Sequence, residues 1–174
     1  MKQWISQKKI FLKFSIFFFI FFSSANSELI ISGEAVITDG DTLKISSNKI
    51  RLSGIDAPEI KQMCKKNFIE FSFFSLKKNY FCGELSKKEL SKFTNNHTIF
   101  CKVEDKKDFF GRYLGTCFID KININSWLVK NGYAVAYRKY SKNYIEDEKI
   151  AKKNKKGIWQ GGFQMPWEWR KNNK

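Results

Sequence analysis

Six side chains combine the types and spacing that phosphate chemistry uses: Asp39, Asp41, Arg51, Asp56, Glu59 and Arg112. Singly, each is weak. Asp39-Gly40-Asp41-Thr42 on its own reads as a turn, because most Asp-Gly pairs simply close hairpins. In Ile50-Arg51-Leu52, strand alternation puts Ile50 and Leu52 on one sheet face and Arg51 on the other, where an arginine is commonly just solvated. In Asp56-Ala57-Pro58-Glu59, Pro58 removes a backbone donor and holds Ala57 extended. Asp56 and Glu59 therefore project from an irregular corner, and ligand groups usually sit on such corners.

Jointly they supply what hydrolysis of a phosphodiester requires. A hard cation such as Ca²⁺ takes oxygen ligands, and Asp41 and Asp56 offer two carboxylates with a backbone carbonyl beside them. Such an ion neutralises phosphate charge and orients water. Glu59 is then a further carboxylate, suited to act as general base. Arg51 and Arg112 carry the bidentate guanidinium groups that match a phosphate gaining charge in the transition state. The only histidine, His97, stands beside a helix stop and reads as structural, which disfavours a histidine-based mechanism.

The elements that must position these groups are short. Ile31 to Ile37, Thr42 to Ile45 and Lys49 to Ser53 read as strands, with turns at Asp39-Gly40 and Ser46 to Asn48. Residues 60–82 read as a long irregular excursion. Gly83 to Asn96 has helical spacing, with Leu85, Leu90 and Phe93 as candidate buried positions and Asn95-Asn96 as the stop. Two further apolar runs, Thr98 to Val103 and Leu114 to Ile119, flank a turn near Lys107 to Gly111. Asn125 is expected to cap a short helix ended by Gly132, whose φ would be positive. Tyr144, Glu148 and Ala151 share one face of a last helix, closed by Gly157. The order βββ-α-ββ-α-α fits an α+β fold, a five-stranded OB-type barrel with three packed helices.

Residues 1–27 stand apart from that domain. Lys2, Lys8, Lys9 and Lys13 precede the apolar run Phe14 to Phe22, and small residues follow through Ser27. That order is a secretory signal peptide, leaving 28–174 as one domain. The run is shorter than the ~20 residues of a membrane span, so an uncleaved anchor is the weaker alternative. The expected location is periplasmic or secreted, with no stable membrane association after cleavage.

The chain carries a formal charge of +15, and removing residues 1–27 leaves +11. A positive excess of this size suits a polyanionic partner: nucleic acid, an anionic membrane or a cell-wall polymer. A cationic, membrane-active protein would explain the charge but leave the carboxylates and arginines idle. The four cysteines all lie in 28–174 without a C-x-x-C pair, which argues for disulfides rather than zinc. A hairpin would set Cys101 opposite Cys117. Cys64–Cys82 would then close a second loop, worth roughly 3 kcal/mol in the chain-entropy model.

Asp39-Gly40-Asp41-Thr42, Ile50-Arg51-Leu52-x-Gly54-Ile55-Asp56-Ala57-Pro58-Glu59, Gly111-Arg112 and Asn131-Gly132-Tyr133-Ala134 resemble the staphylococcal-type thermonuclease family in order and approximate spacing. Gln62-x-Cys64, Tyr80-x-Cys82-Gly83 and Pro166-Trp167-Glu168-Trp169-Arg170 resemble its secreted bacterial branch. The resemblance covers nearly all of residues 33–159. It implies an OB-fold barrel, one Ca²⁺, and an endonuclease that cleaves DNA and RNA to leave 3′-phosphates. It assigns Asp41, Asp56 and the Ala57 main-chain oxygen to the metal, and Asp39 to a second sphere. Glu59 matches the residue usually named as general base, and Arg51 and Arg112 the phosphate-gripping pair. Phe110 departs from the tyrosine common in the family, removing a phenol that could bond a phosphate. Tyr137 and Tyr140 match the nucleotide-side tyrosines more loosely. No small-molecule cofactor is expected, and the protein is expected to be a monomer. The rival reading is a non-catalytic nucleic-acid-binding OB module, but such relatives have lost the acids and arginines that are present here.

Overall fold

Gly33 splits one apolar run into two strands that serve opposite edges of the same sheet. The computed structural model describes residues 29–71 and 74–173, with the side chains of 68–75 left out; the proposed signal peptide lies outside the described residues. At Gly33 φ is +147°, and a Cβ there would meet Ile45 Cγ2 at 3.0 Å. Strand β1 (Leu29–Gly33) pairs with β8 (Ile99–Lys107), whereas β2 (Ala35–Ile37) pairs with β3 (Thr42–Ile45). With β4 (Asn48–Leu52) and β9 (Tyr113–Ile119), the sheet runs β1-β8-β9-β4-β3-β2, and β10 (Ile122–Asn123) pairs with β9. Its two edge strands are thus consecutive in the chain, and the sheet curls toward the barrel expected from the sequence.

Alternation along these strands builds the core. Leu43, Ile45, Ile50, Leu52, Ile99 and Ile119 are buried, as are Cys101 and Cys117. Cys101 lies directly opposite Cys117 in the β8–β9 register, and both expected disulfides, Cys101–Cys117 and Cys64–Cys82, are formed. Leu90 from α1 (Cys82–Thr94) and Leu128 from α2 (Ile124–Lys130) join the same cluster.

Three expectations are corrected. Residues 60–82 are no irregular excursion but contain a long hairpin, β6 (Met63–Phe71) against β7 (Phe74–Phe81). Its base is fastened by Cys64–Cys82 and by the Lys65 N–H to the Gly162 carbonyl at 2.8 Å. Beyond the base, the consecutive residues Leu76, Lys77 and Lys78 are all exposed, so this stretch lacks the alternation that marks a strand. The phenylalanine side chains near the tip, including 68–74, lie outside the described residues.

Among the described residues there are four α-helices rather than three, α4 (Pro166–Asn172) following α3 (Ile145–Lys153) and a 3₁₀ turn (Gly157–Gln160). A helix of two turns is too short to display a period, and only Pro166 in its first turn marks it. Finally, Asn123 and not Asn125 caps α2, accepting the Ser126 N–H at 3.0 Å. Asn125 is buried instead, where it donates to Ser53 and Gly115 carbonyls and accepts the Cys117 N–H. It ties the parallel β4–β9 seam together.

Glu148 fixes the strand next to the site. Strand β11 (Val135–Ala136) pairs with β5 (Ile55–Asp56), setting Val135 opposite Asp56. The fully buried Glu148 accepts the Ala136 N–H at 3.1 Å and ion-pairs with Arg138 and, at 2.9 Å, Lys152. Burial alone would raise its carboxyl, but Arg138, Lys152 and the Ala136 amide outweigh burial and hold it below the ordinary value. A depressed folded value means the stabilisation is complete above the unfolded value, about 4.3, and lost as pH falls through the folded one. Arg138 and Lys152 are partly exposed, so we expect Glu148→Gln to cost about 2 kcal/mol, less than a fully buried pair. Urea unfolding should show that gap at pH 7 and see it close below pH ~4. An unchanged gap in acid would remove the charge explanation.

Candidate active site

Asp41 and Asp56 are buried, and both pair with the partly exposed Arg51. Asp41 is 4% exposed and Asp56 0%. The Asp39–Asp41 turn is pressed against the next loop. A Cβ on Gly40 would stand 2.7 Å from Ala57 Cβ, so glycine is needed for close approach. Asp39 Oδ1 accepts the Asp41 N–H at 3.0 Å, and Asp41 Oδ2 accepts the Ala57 N–H at 2.9 Å. The β3–β4 ladder puts Thr42 opposite Arg51. From there one Arg51 guanidinium spans both carboxylates: Nη1 pairs with Asp41 Oδ1, and Nη2 with Asp56 Oδ1 at 2.9 Å.

Burial pushes the Asp41 carboxyl up to about 7; Arg51 and the Ala57 amide offset this only in part, and Asp39 and Asp56 add to it. Arg51 moves above its ordinary value, since Asp41 and Asp56 outweigh the effect of its burial.

Glu59 stands on the corner formed by Pro58 and is partly exposed. Its N–H donates to Gln62 Oε1 at 3.3 Å, and its carbonyl accepts the Gln62 N–H at 2.7 Å. Arg112 follows the β8–β9 turn, where Asp108 holds it by Nε at 3.0 Å and Nη2 at 2.8 Å. Burial would raise Asp108, but the Arg112 and Phe110 amides and the Arg112 guanidinium hold it below the ordinary range. Because β4 and β9 run parallel with Arg51 beside Leu114, Arg112 comes to the same side of the sheet.

Arg51, Glu59 and Arg112 meet in one cleft of about 940 Å³, lined also by Tyr140, whereas Asp39, Asp41 and Asp56 do not line it. Phe109 and Phe110, 98% and 74% exposed, stand at its rim, with the Arg112 guanidinium 5.2 Å from the Phe110 ring. Tyr137 stacks on Trp167 at 5.3 Å and meets the edge of Tyr140, so it is both packed and cleft-lining. His97 is exposed, its Nδ1 2.7 Å from the Asn95 carbonyl, and takes no part.

One group was missed from the sequence. Arg170 of α4 lines the cleft and pairs with Asp56 and Glu59, both at 2.8 Å. Asp56 and Glu59 outweigh the burial of Arg170 and raise it above its ordinary value. Its only trace in the sequence was the terminal Pro166-to-Arg170 run.

The donor set fits a hard cation in part. Asp41 and Asp56 are oxygen donors that converge on one guanidinium, whereas no set of three or more His, Cys, Asp or Glu forms a ready cage among the described residues. Two carboxylates leave the remaining coordination to main-chain oxygen, water or substrate, as hard cations accept.

Residues 49–161 match the model of the family described as staphylococcal nuclease homologue, and the chain belongs to that family. It is 33% identical over 132 residues to the succinoglycan biosynthesis protein ExoI of Rhizobium meliloti, covering 74% of this chain and 64% of the relative. It is 30% identical over 175 residues to an uncharacterized endonuclease of Haemophilus influenzae, covering 96% and 88%. With the micrococcal nuclease of Shigella flexneri it shares 31% over 162 residues, 82% of each. The chain thus spans just under two thirds of ExoI's own length.

Proposed function

We propose that the protein is an exported, calcium-dependent endonuclease that hydrolyses phosphodiester bonds of DNA and RNA. The observation that carries this reading is the meeting of Arg51, Glu59 and Arg112 in one cleft above the buried pair Asp41 and Asp56. The nuclease names borne by the Haemophilus and Shigella relatives support the same reading.

Asp41, Asp56 and the Ala57 main-chain oxygen would hold the Ca²⁺, with Asp39 steadying Asp41 through its N–H. The bound ion would neutralise phosphate charge. Arg51 and Arg112 grip the phosphate, each pre-oriented by carboxylates, so little reorganisation is needed as charge builds. Glu59 accepts the proton of the attacking water. The water oxygen bonds to phosphorus, the bond from phosphorus to the 5′-oxygen breaks, that oxygen takes a proton from solvent, and a 3′-phosphate remains. Phe109 and Phe110 cannot bond phosphate, but their open faces suit unstacked bases. The +11 charge of residues 28–174 would concentrate polyanions near the cleft.

Export through residues 1–27 is supported by the two disulfides, which form and persist in oxidising compartments. Among the described residues, no helix is long and apolar enough to cross a membrane. We take the protein to act as a monomer without a small-molecule cofactor.

The test is digestion of DNA and RNA by the purified protein in Ca²⁺, with end analysis of the products. Activity should vanish in chelator, return with Ca²⁺ and leave 3′-phosphates. Undiminished cleavage in chelator would rule out the metal role, and no cleavage at all would favour a binding module.

A further inference from the structure

The family match ends at residue 161, yet the chain beyond it is bound into the site. Besides the Lys65 to Gly162 bond at the hairpin base, side-chain contacts hold it. Buried Gln62, which accepts the Glu59 N–H, donates from Nε2 to the Gln164 carbonyl at 2.6 Å. Pro166 is buried at the start of α4, and Trp167 lies parallel to Tyr137 with rings 5.3 Å apart. From this mounting Arg170 extends one guanidinium over two acids. Nη1 donates to Glu59 Oε1 at 2.8 Å and to Asp56 Oδ1 at 3.1 Å, and Nη2 donates to Asp56 Oδ2 at 2.8 Å.

We propose that Arg170 is a positioning residue of the reaction, fixing the Glu59 carboxylate against Asp56; the inference rests on the nuclease reading above. Among the described residues, Arg170 is the one hydrogen-bonding partner of the Glu59 side chain. A glutamate on an exposed corner has three free torsions, and losing them at the moment of reaction would slow it. The Arg170 fork removes that freedom beforehand. A planar guanidinium can hold both acids at fixed angles, which a lysine ammonium cannot. The same contact sets a positive charge on Asp56, so Arg170 opposes any cation that Asp56 helps to hold. Arg170 thus favours turnover while weakening cation binding.

Those opposite signs separate positioning from mere structural support. In full-length Arg170→Gln, kcat on DNA should fall about 10- to 100-fold with KM nearly constant. Calorimetric titration with Ca²⁺ should show about tenfold tighter binding, because one nearby positive charge has gone. Arg170→Lys should keep near-normal cation affinity, because the charge remains, but not recover kcat. Thermal unfolding should confirm that both variants fold, since the Gln62 and Trp167 contacts are untouched. Wild-type kcat in Arg170→Gln, or cation binding that weakens together with kcat, would overturn the positioning role alone. A wild-type protein inactive on both DNA and RNA would overturn the nuclease reading, and this inference with it.

Discussion

Arg51→Ala should slow phosphodiester cleavage by about three orders of magnitude and destabilise the fold by about 3 kcal/mol. The two effects have one origin. Arg51 is the group that spans Asp41 and Asp56, so its removal leaves the Asp41 carboxylate with the Thr42 hydroxyl and the Ala57 amide. Asp56 keeps Arg170, but among the described residues Asp41 has no second cation. A buried carboxylate deprived of its counter-charge costs several kcal/mol, because no partner replaces the lost hydration. The rate falls further than stability alone implies, since the bidentate donor to the phosphate is also gone. Arg51→Lys separates the two: it restores charge near Asp41 and hence part of the stability, but one ammonium cannot bridge two acids and grip a phosphate. Cleavage rates in saturating Ca²⁺ and urea unfolding of the same samples provide the measurement. A rate within tenfold of wild type in Arg51→Ala would show that the arginine serves only the carboxylates.

What could be read from the sequence followed the physics of each residue. Ile50-Arg51-Leu52 was legible because a strand buried on one face forces alternation, and Ile50 and Leu52 are indeed buried. Cys101–Cys117 was legible because a hairpin places its two strands in register. Gly132 was expected at positive φ after its helix and has φ +72°. The β6–β7 hairpin was not legible, because its described outer residues Leu76, Lys77 and Lys78 are all exposed and carry no alternation. The cap of α2 was misread because two asparagines stand two residues apart, and only tertiary bonding decides between them. Within the site, Asp39, Asp41, Arg51, Asp56 and Glu59 lie within 21 residues of chain, and their local strands and turns suffice to gather them. Arg170 meets Asp56 from the far end of the chain, through Gln62 and Trp167 contacts that no local pattern encodes.

Glu59→Gln tests the chemistry apart from the architecture. The substitution keeps the shape of the side chain and the backbone bonds of the corner, Glu59 N–H to Gln62 Oε1 and Gln62 N–H to the Glu59 carbonyl. The Glu59 side chain is 38% exposed, so losing its charge should change stability by only about 0.5 kcal/mol. Arg170 retains Asp56 through two bonds, and α4 therefore stays docked. The amide cannot accept a proton from water, so kcat should drop about 10²- to 10⁴-fold, the range general-base catalysis contributes. KM for the polynucleotide should hold, because Arg51 and Arg112 still grip the phosphate. Glu59→Asp gives the complementary result. It keeps the basic group but shortens it by one methylene, drawing the carboxylate away from the 2.8 Å contact with Arg170, so kcat should fall between wild type and Glu59→Gln. Steady-state kinetics on a defined oligonucleotide would decide the matter. If Glu59→Gln instead raised KM and left kcat intact, Glu59 would be a substrate-binding group, and the base would have to be sought among solvent or the other acids of the cleft.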